Sequence, residues 1–252
     1  MTRSILVSGF GEFSGISRNP SGEAAQSLAG TRFGNTQVAG VVLPVSWSQS
    51  WSKLESAIHE VAPSGVILLG VAPTPFVRLE VLAMNAAYPE EDIHGQVAPR
   101  APLLRLRSDA PAAYHSLFDL DGLRTRLLSD ETNWGMPMSK GRVGVELWAG
   151  AGSYLCNYIF FQTLHAYRYK FPVVFAHVPS LEYCALEGAL FTADQLRASV
   201  NSLVANCAGM IEEALAWSVN PEWLAAREAM SRAAQSARRL LVHARTSIGR
   251  NA

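Results

Sequence analysis

The chain has 252 residues, a length that one large domain can accommodate. Hydrophobic residues make up 49% of it and charged residues 17%, which excludes intrinsic disorder and predicts a substantial core. Lysine and arginine together number 21, as do aspartate and glutamate, and this formal net charge of +0 argues against nucleic acid or an anionic membrane as the main partner.

The cysteine count and the hydropathy pattern predict a cytoplasmic protein. Three cysteines without regular spacing do not make a disulfide framework, which indicates a reducing compartment. No apolar run approaches the length of a membrane span, and the first residues show no signal-peptide pattern. Because a neutral chain tends to associate, we also expect contacts between copies of the chain.

Alternating strands and helices predict an α/β fold in a single domain. The first part of the chain alternates strand, helix, strand, helix, strand, which implies a parallel sheet covered on both faces. The predicted strands are at 4–8, 38–42, 66–69, 78–85, 143–148 and 171–179. One predicted helix starts at 19–23, and the others are at 47–61, 120–128, 156–169, 192–217 and 220–247.

A loop with two glycines and two phenylalanines, residues 9–13, follows the first strand. Its glycines fit the first two positions of a dinucleotide-binding fingerprint, but Ser14 holds the third position, so we reject cofactor binding. Sheets of this class bind ligands beyond the carboxyl ends of their strands. Phe10 and Phe13 could wall an apolar pocket there, and packing the loop against the body explains either one alone equally well.

Cys156 lies at the start of a predicted helix, after the small residues of segment 150–153. A helix N-terminus carries partial positive charge and free N–H groups, which favour the reactive thiolate and could hold a developing oxyanion. We therefore interpret Cys156 as a nucleophile, although a free cysteine is more often a small buried hydrophobe. We interpret Cys184 and Cys207 as small hydrophobic residues with a structural role.

Two further residues complete a candidate catalytic set. His177 stands at the carboxyl end of a strand just before a proline, a place from which such sheets commonly present a base. Glu80 interrupts an apolar run and needs a partner, unless it simply faces outward from its strand. A cysteine, a histidine and a carboxylate are the parts of a cysteine hydrolase: the imidazole takes the thiol proton and the carboxylate orients the imidazolium.

These residues resemble the motifs of pyroglutamyl peptidase I, also called pyrrolidone-carboxylate peptidase, a family of cysteine peptidases with a Glu, Cys, His triad. The resemblance implies nucleophile Cys156, base His177 and orienting acid Glu80, in an α/β/α sandwich without a cofactor or a metal. It extends from Ile5 to about Leu203, and its matching segments are 7–11 with Phe13, 19–21 with Ala24, 43–45, Glu80 with Ala83 and Asn85, 151–157, and 177–179.

The resemblance also implies an activity: removal of an N-terminal pyroglutamyl residue from peptides through a thioacyl intermediate. In the family the lactam ring lies among aromatic residues, which implies Phe10 and Phe13 as substrate-binding residues here. Tyr154 and Leu155, directly before the nucleophile, are assigned to the same pocket. Family members often form homo-oligomers, so a dimer or tetramer is expected, and segment 208–252 lies outside the resemblance as a C-terminal helical extension.

The chain departs from the family on the substrate side. The family's Gly-Gly-Arg after the strand ending at Gly70 is replaced by segment 72–76, its arginine after the triad glutamate is Val81, and its Asp-Ala-Arg segment is missing. Arg78 could compensate for the missing arginines, because it would lie on the same face as Glu80 if the strand is regular. Two alternatives stay open: a triad amidohydrolase acting on another small lactam or acyl amide, and a non-catalytic peptide-binding relative.

Overall fold

A computed structural model describes residues 3–13, 18–98, 105–135, 142–182 and 191–217. The predicted helix at 220–247 and Cys184 lie outside the described residues, as does the predicted extension from residue 218 onwards. Of the two compact units, Met1–Met210 contains the sheet, and the described part of Ile211–Ala252 is helical. No helix in the described ranges is long and apolar enough to cross a membrane.

The helices and strands follow the alternating order that the sequence predicts. The strands are β1 (Arg3–Phe10), β2 (Arg32–Phe33), β3 (Thr36–Leu43), β4 (Val66–Ala72), β5 (Phe76–Met84), β6 (Ala113–His115), β7 (Gly144–Gly150) and β8 (Val173–Pro179). The helices are α1 (Pro20–Leu28), α2 (Ser50–Val61), α3 (Leu120–Ser129), α4 (Leu155–Tyr167) and α5 (Ala193–Trp217).

The described strands form one mixed, mostly parallel sheet in the order β2-β3-β1-β4-β8-β5-β6, with β7 paired to β5. Strand β1 is parallel to β3 and β4, and β4 is parallel to β8. Strand β5 is antiparallel to β8, which the sequence did not predict. Only residues 73–75 separate β4 from β5, so the chain reverses direction there instead of crossing over.

Helices cover both faces of this sheet. On β1, the side chains of Leu6 and Phe10 join a core that includes Leu54 of α2 and the apolar residues of α4. The opposite face meets α1: a Cβ built on Gly9 would lie 1.9 Å from the carbonyl oxygen of Ser21. The α/β fold is confirmed, with α1 on one side of the sheet and α2 and α4 on the other.

The Asn19-Pro20-Ser21 segment fastens the start of α1 to the end of β1. Asn19 is the N-cap: its Oδ1 accepts from the Ser21 amide at 3.1 Å, and its Nδ2 donates to the Gly11 carbonyl at 2.9 Å. The Ser21 hydroxyl accepts from the Phe10 amide at 3.0 Å. Pro20 occupies the first turn, where its missing N–H has no intrahelical partner to lose. The loop that carries Phe10 is therefore held by α1.

Replacing Gly9 with alanine should destabilise the fold by about 3 kcal/mol, because the added methyl group would collide with backbone that cannot rotate away. The matched control is Gly209→Ala in α5. No described atom lies within 4 Å of a Cβ there, and alanine is the better helix former by about 1 kcal/mol. Urea unfolding compares both variants with the wild type. Equal stability of Gly9→Ala and wild type would contradict the close approach of α1 to β1.

Candidate active site

A cavity of about 410 Å³ lies beyond the carboxyl ends of β1, β4 and β8, beside the N-terminus of α4. Ligands bind at this edge in α/β sheets. The structure brings every site residue predicted from the sequence to the wall of this one cavity. These residues are Phe10, Phe13, Glu80, Tyr154, Leu155, Cys156 and His177.

Cys156 is the second residue of α4, as the sequence predicts. The loop before the helix turns at Gly152, whose φ of +79° is one that residues with a side chain rarely adopt. Tyr154 occupies the N-cap in an extended conformation without a side-chain capping bond. The amides of the first turn have no intrahelical acceptor in any helix, and here the N-cap side chain accepts from none of them. The positive end of the helix dipole lies at the thiol.

His177 and Glu80 meet because β5 and β8 are antiparallel. Arg78 is directly opposite His177 in the register, and Glu80 lies two residues further along on the same face. The Nδ1 of His177 donates to Oε1 of Glu80 at 2.6 Å. Glu80 is 0% exposed, so the interpretation that it faces outward is wrong. Its second oxygen, Oε2, is also buried and accepts no hydrogen bond from a described residue.

The electrostatic environment of His177 favours the imidazolium. Burial by itself lowers the pKa of His177, but the charge on Cys156 and the hydrogen bonds to Cys156 and Glu80 outweigh this effect and raise the pKa to about 9. The ring is therefore protonated at neutral pH, between the sulfur on one side and the carboxylate on the other. A neighbouring imidazolium favours the thiolate form of a cysteine.

Gly70 provides the space in which the thiol and the imidazole meet. A Cβ built there would lie 2.8 Å from Sγ of Cys156, 2.9 Å from Cδ2 of His177 and 3.0 Å from the ring of Phe175. Contacts shorter than normal carbon–sulfur and carbon–carbon separations cannot be accommodated without movement. Sequence reasoning assigned Gly70 no role, although a glycine at the end of an apolar strand run was a signal for it.

Asn157, next to the nucleophile, links α4 to the end of β5. Its side chain is fully buried. Its Oδ1 accepts from the Met84 amide at 2.7 Å, and its Nδ2 donates to the carbonyls of Met84 and Ala86 at 2.8 and 2.9 Å. The sequence analysis found this asparagine only as part of a motif. Its structural role follows from a contact 73 residues away along the chain, which no local pattern reveals.

Arg78 and Trp148 form a second wall of the cavity; the sequence pointed to Arg78 as a strand neighbour of Glu80 but not to Trp148. Both line the cavity, and the Arg78 guanidinium carbon lies 3.9 Å from the centroid of the Trp148 ring. The Nε of Arg78 donates to Oε1 of Glu146 at 2.8 Å. Arg78 lies on the same face as Glu80, as expected for a regular strand.

The described residues outside the cavity offer no second candidate centre. Cys207 on α5 is 0% exposed, and burial raises the pKa of its thiol. In the described ranges, no group of three or more histidine, cysteine or acidic residues is placed to hold a metal ion.

Comparison with known proteins gives pyrrolidone-carboxylate peptidases as similar proteins. A family model described as pyroglutamyl peptidase matches residues 3–189. The pyrrolidone-carboxylate peptidase of Thermococcus litoralis is 32% identical over 184 residues, which are 70% of this chain and 76% of the relative. That of Halalkalibacterium halodurans is 30% identical over 188 residues, 73% of this chain and 87% of the relative.

Solved structures share the fold. The pyrrolidone carboxyl peptidase of Thermococcus litoralis superposes with a TM-score of 0.70 at 24% identity, over 84% of this chain and 96% of that structure. A mutant pyrrolidone carboxyl peptidase of Pyrococcus furiosus superposes with a TM-score of 0.69 at 25% identity, over 84% of this chain and 99% of that structure. The described sheet and helices are therefore arranged as in these proteins.

Replacing Gly70 with alanine should leave the protein folded but slow the alkylation of Cys156 by iodoacetamide at least about tenfold, because the thiolate depends on a nearby cation. The new methyl group meets the ends of side chains, which can move, instead of fixed backbone. Mass spectrometry follows the labelling, and thermal unfolding serves as the folding control. Wild-type labelling by a folded Gly70→Ala protein would show that the two side chains do not meet over this glycine.

The imidazole of His177 should titrate near pH 9 instead of near its ordinary value of 6.5, as followed by NMR. Because its pKa is raised on folding, the stability that it contributes is complete below about pH 6.5 and is lost as the pH rises through about 9. Cys156→Ala and Glu80→Gln should each lower this pKa, since each removes one of its causes. A wild-type value at or below 6.5, or one that neither substitution moves, would rule out the charged pair.

Proposed function

The chain belongs to the pyroglutamyl peptidase family, and we propose that it is a cysteine omega-peptidase that hydrolyses the amide bond after an N-terminal pyroglutamyl residue. The observation that carries this proposal is the hydrogen-bonded set of Glu80, His177 and Cys156 in a cavity partly walled by aromatic rings. The family match does not favour the two alternatives, an amidohydrolase for another acyl group or a non-catalytic relative.

Acylation begins from the thiolate of Cys156 and the imidazolium of His177. The sulfur attacks the carbonyl carbon of the pyroglutamyl residue and forms a carbon–sulfur bond, while the carbonyl oxygen becomes an oxyanion. The free amides of the first turn of α4 are placed to stabilise this charge. Collapse of the intermediate breaks the carbon–nitrogen bond, and His177 delivers its proton to the leaving amine.

Deacylation restores the starting charges. His177, now neutral, removes a proton from water as the water oxygen attacks the thioester carbon. The second oxyanion collapses, the carbon–sulfur bond breaks, and pyroglutamate leaves with the thiolate and the imidazolium regenerated. Glu80 holds the ring through Nδ1 and stabilises its positive charge.

The aromatic side of the cavity suits a lactam ring. Phe10, Phe13 and Leu155 present apolar surface to it. Tyr154 packs edge-on against Trp47, with ring centroids 5.3 Å apart, and its hydroxyl donates to the carbonyl of Glu91. Burial raises the pKa of Tyr154 to about 12, so this side chain stays neutral. A neutral, planar ring fits such a wall, whereas a charged N-terminal amine would lose hydration against these apolar side chains.

We also propose a cytoplasmic homo-oligomer, a dimer or a tetramer, whose chain is one hydrolytic domain with a helical extension at 208–252. The neutral net charge and several exposed apolar side chains, Tyr88, Leu117 and Tyr169 among them, support self-association. The two cysteines in the described part of the chain are free thiols, which suits a reducing compartment.

The protein should release a fluorophore from a pyroglutamyl amide, and Cys156→Ala should reduce the rate by more than about 10⁴-fold, because no other group supplies the nucleophile. Cys207→Ala is the matched control: it removes a thiol that is buried on α5 and lies outside the cavity wall, so turnover should persist.

Three other outcomes would each contradict a part of this proposal. Activity that survives in Cys156→Ala would refute the thioacyl mechanism. A wild type without turnover whose Cys156 is still alkylated quickly would point to a different acyl group. A wild type without turnover and with a slow thiol would favour a non-catalytic relative.

A further inference from the structure

The strands cross the floor of the cavity in a fixed order that separates its two ends. From β1 the order runs through β4, β8 and β5 to β7, with neighbouring strands about 4.8 Å apart. Phe10 is at the end of β1, and Cys156 lies over β4 and β8, beside His177. Arg78 on β5 and Trp148 on β7 follow beyond them. The sulfur therefore lies between the aromatic end of the cavity and the Arg78 end.

This order assigns the two halves of a substrate to opposite ends, an assignment that rests on the proposed function. With the lactam ring at Phe10 and Phe13, the leaving peptide extends from the sulfur over β8 towards β5 and β7. Directly opposed residues of an antiparallel pair have Cβ atoms about 5 Å apart, so Arg78 stands beside His177. An extended peptide advances about 3.5 Å per residue, which brings the first residue of the leaving group to Arg78.

The guanidinium of Arg78 has two described contacts, and most of its donors have no acceptor in the described part of the chain. Its Nε donates to Glu146, and its Cζ lies over the indole ring of Trp148. Neither Nη donates to a residue that the structure describes, so four of its five N–H groups have no acceptor among the described residues. Among the described residues that line the cavity, it is the one lysine or arginine.

We propose that Arg78 is a specificity-determining residue that binds a carboxylate on the leaving-group side, so that the enzyme prefers pyroglutamyl dipeptides with a free α-carboxylate. In such a dipeptide the carboxylate follows the scissile amide after a single residue, within reach of the Nη groups. A guanidinium binds a carboxylate through two parallel hydrogen bonds, and this ability distinguishes it from a lysine ammonium. Trp148 packs against the guanidinium, and Glu146 occupies only its Nε side.

The test compares kcat/KM for pyroglutamyl-alanine with kcat/KM for pyroglutamyl-alanine amide. Wild type should favour the free acid by roughly tenfold to a hundredfold, the effect of one charge-assisted interaction. Arg78→Gln should reduce this ratio to near one. The substitution should raise KM for the free acid and leave kcat unchanged, because the contact is equally strong in the ground state and the transition state. Glu146→Gln should raise the ratio, because it removes the negative charge that partly neutralises Arg78.

Arg124→Gln, an exposed position on α3, is the matched control and should keep the wild-type ratio. The opposite shifts expected for Arg78→Gln and Glu146→Gln separate substrate binding from a purely structural role, which both substitutions would disturb in the same direction. A wild-type ratio near one, or an unchanged ratio in Arg78→Gln, would overturn the inference about Arg78. If both substrates were still turned over in that case, the proposed function would stand. No turnover of either substrate would overturn both.

Discussion

The hydrogen bond from His177 to the buried Glu80 is the interaction on which the site depends. A carboxylate with no exposed surface is costly unless a cation accompanies it, and here one oxygen accepts from the imidazole while the other has no described partner. The buried charge therefore holds His177 in its protonated form, and that form in turn favours the thiolate of Cys156. Removing the carboxylate would affect all three groups at once.

The sequence was sufficient to find the groups that carry the chemistry, because each stands at a recognisable place. Cys156 begins a helix after small residues, His177 ends an apolar strand before a proline, and Glu80 interrupts an apolar run. The antiparallel register that makes Glu80 the neighbour of His177 could not be predicted, because it depends on a short reversal at 73–75 and on pairing between distant segments. The space at Gly70 is equally invisible from the sequence, since a missing side chain matters only through what approaches it.

The substrate side shows where the chain differs most from what its family resemblance implies. The nucleophile and the base lie on α4 and β8, whose sequences keep the family motifs. The wall beyond them is built from β5 and β7, where Arg78, Glu146 and Trp148 face the cavity or support a residue that does. Sequence reasoning noted Arg78 as a strand neighbour of Glu80 but could not place Trp148 beside it, because the register of two parallel strands 68 residues apart is not a local property.

The contacts that assemble the site join segments far apart in the chain. His177 and Glu80 are separated by 97 residues, and Asn157 reaches Met84 across 73. Contacts of such separation form late, because closing a long loop costs chain entropy before the contact returns any stabilisation. A nascent or partly folded chain therefore carries an unactivated thiol. The rate at which Cys156 reacts with an electrophile thus reports the fraction of molecules that have completed folding, and an incompletely folded chain is protected from indiscriminate acylation and oxidation at this residue.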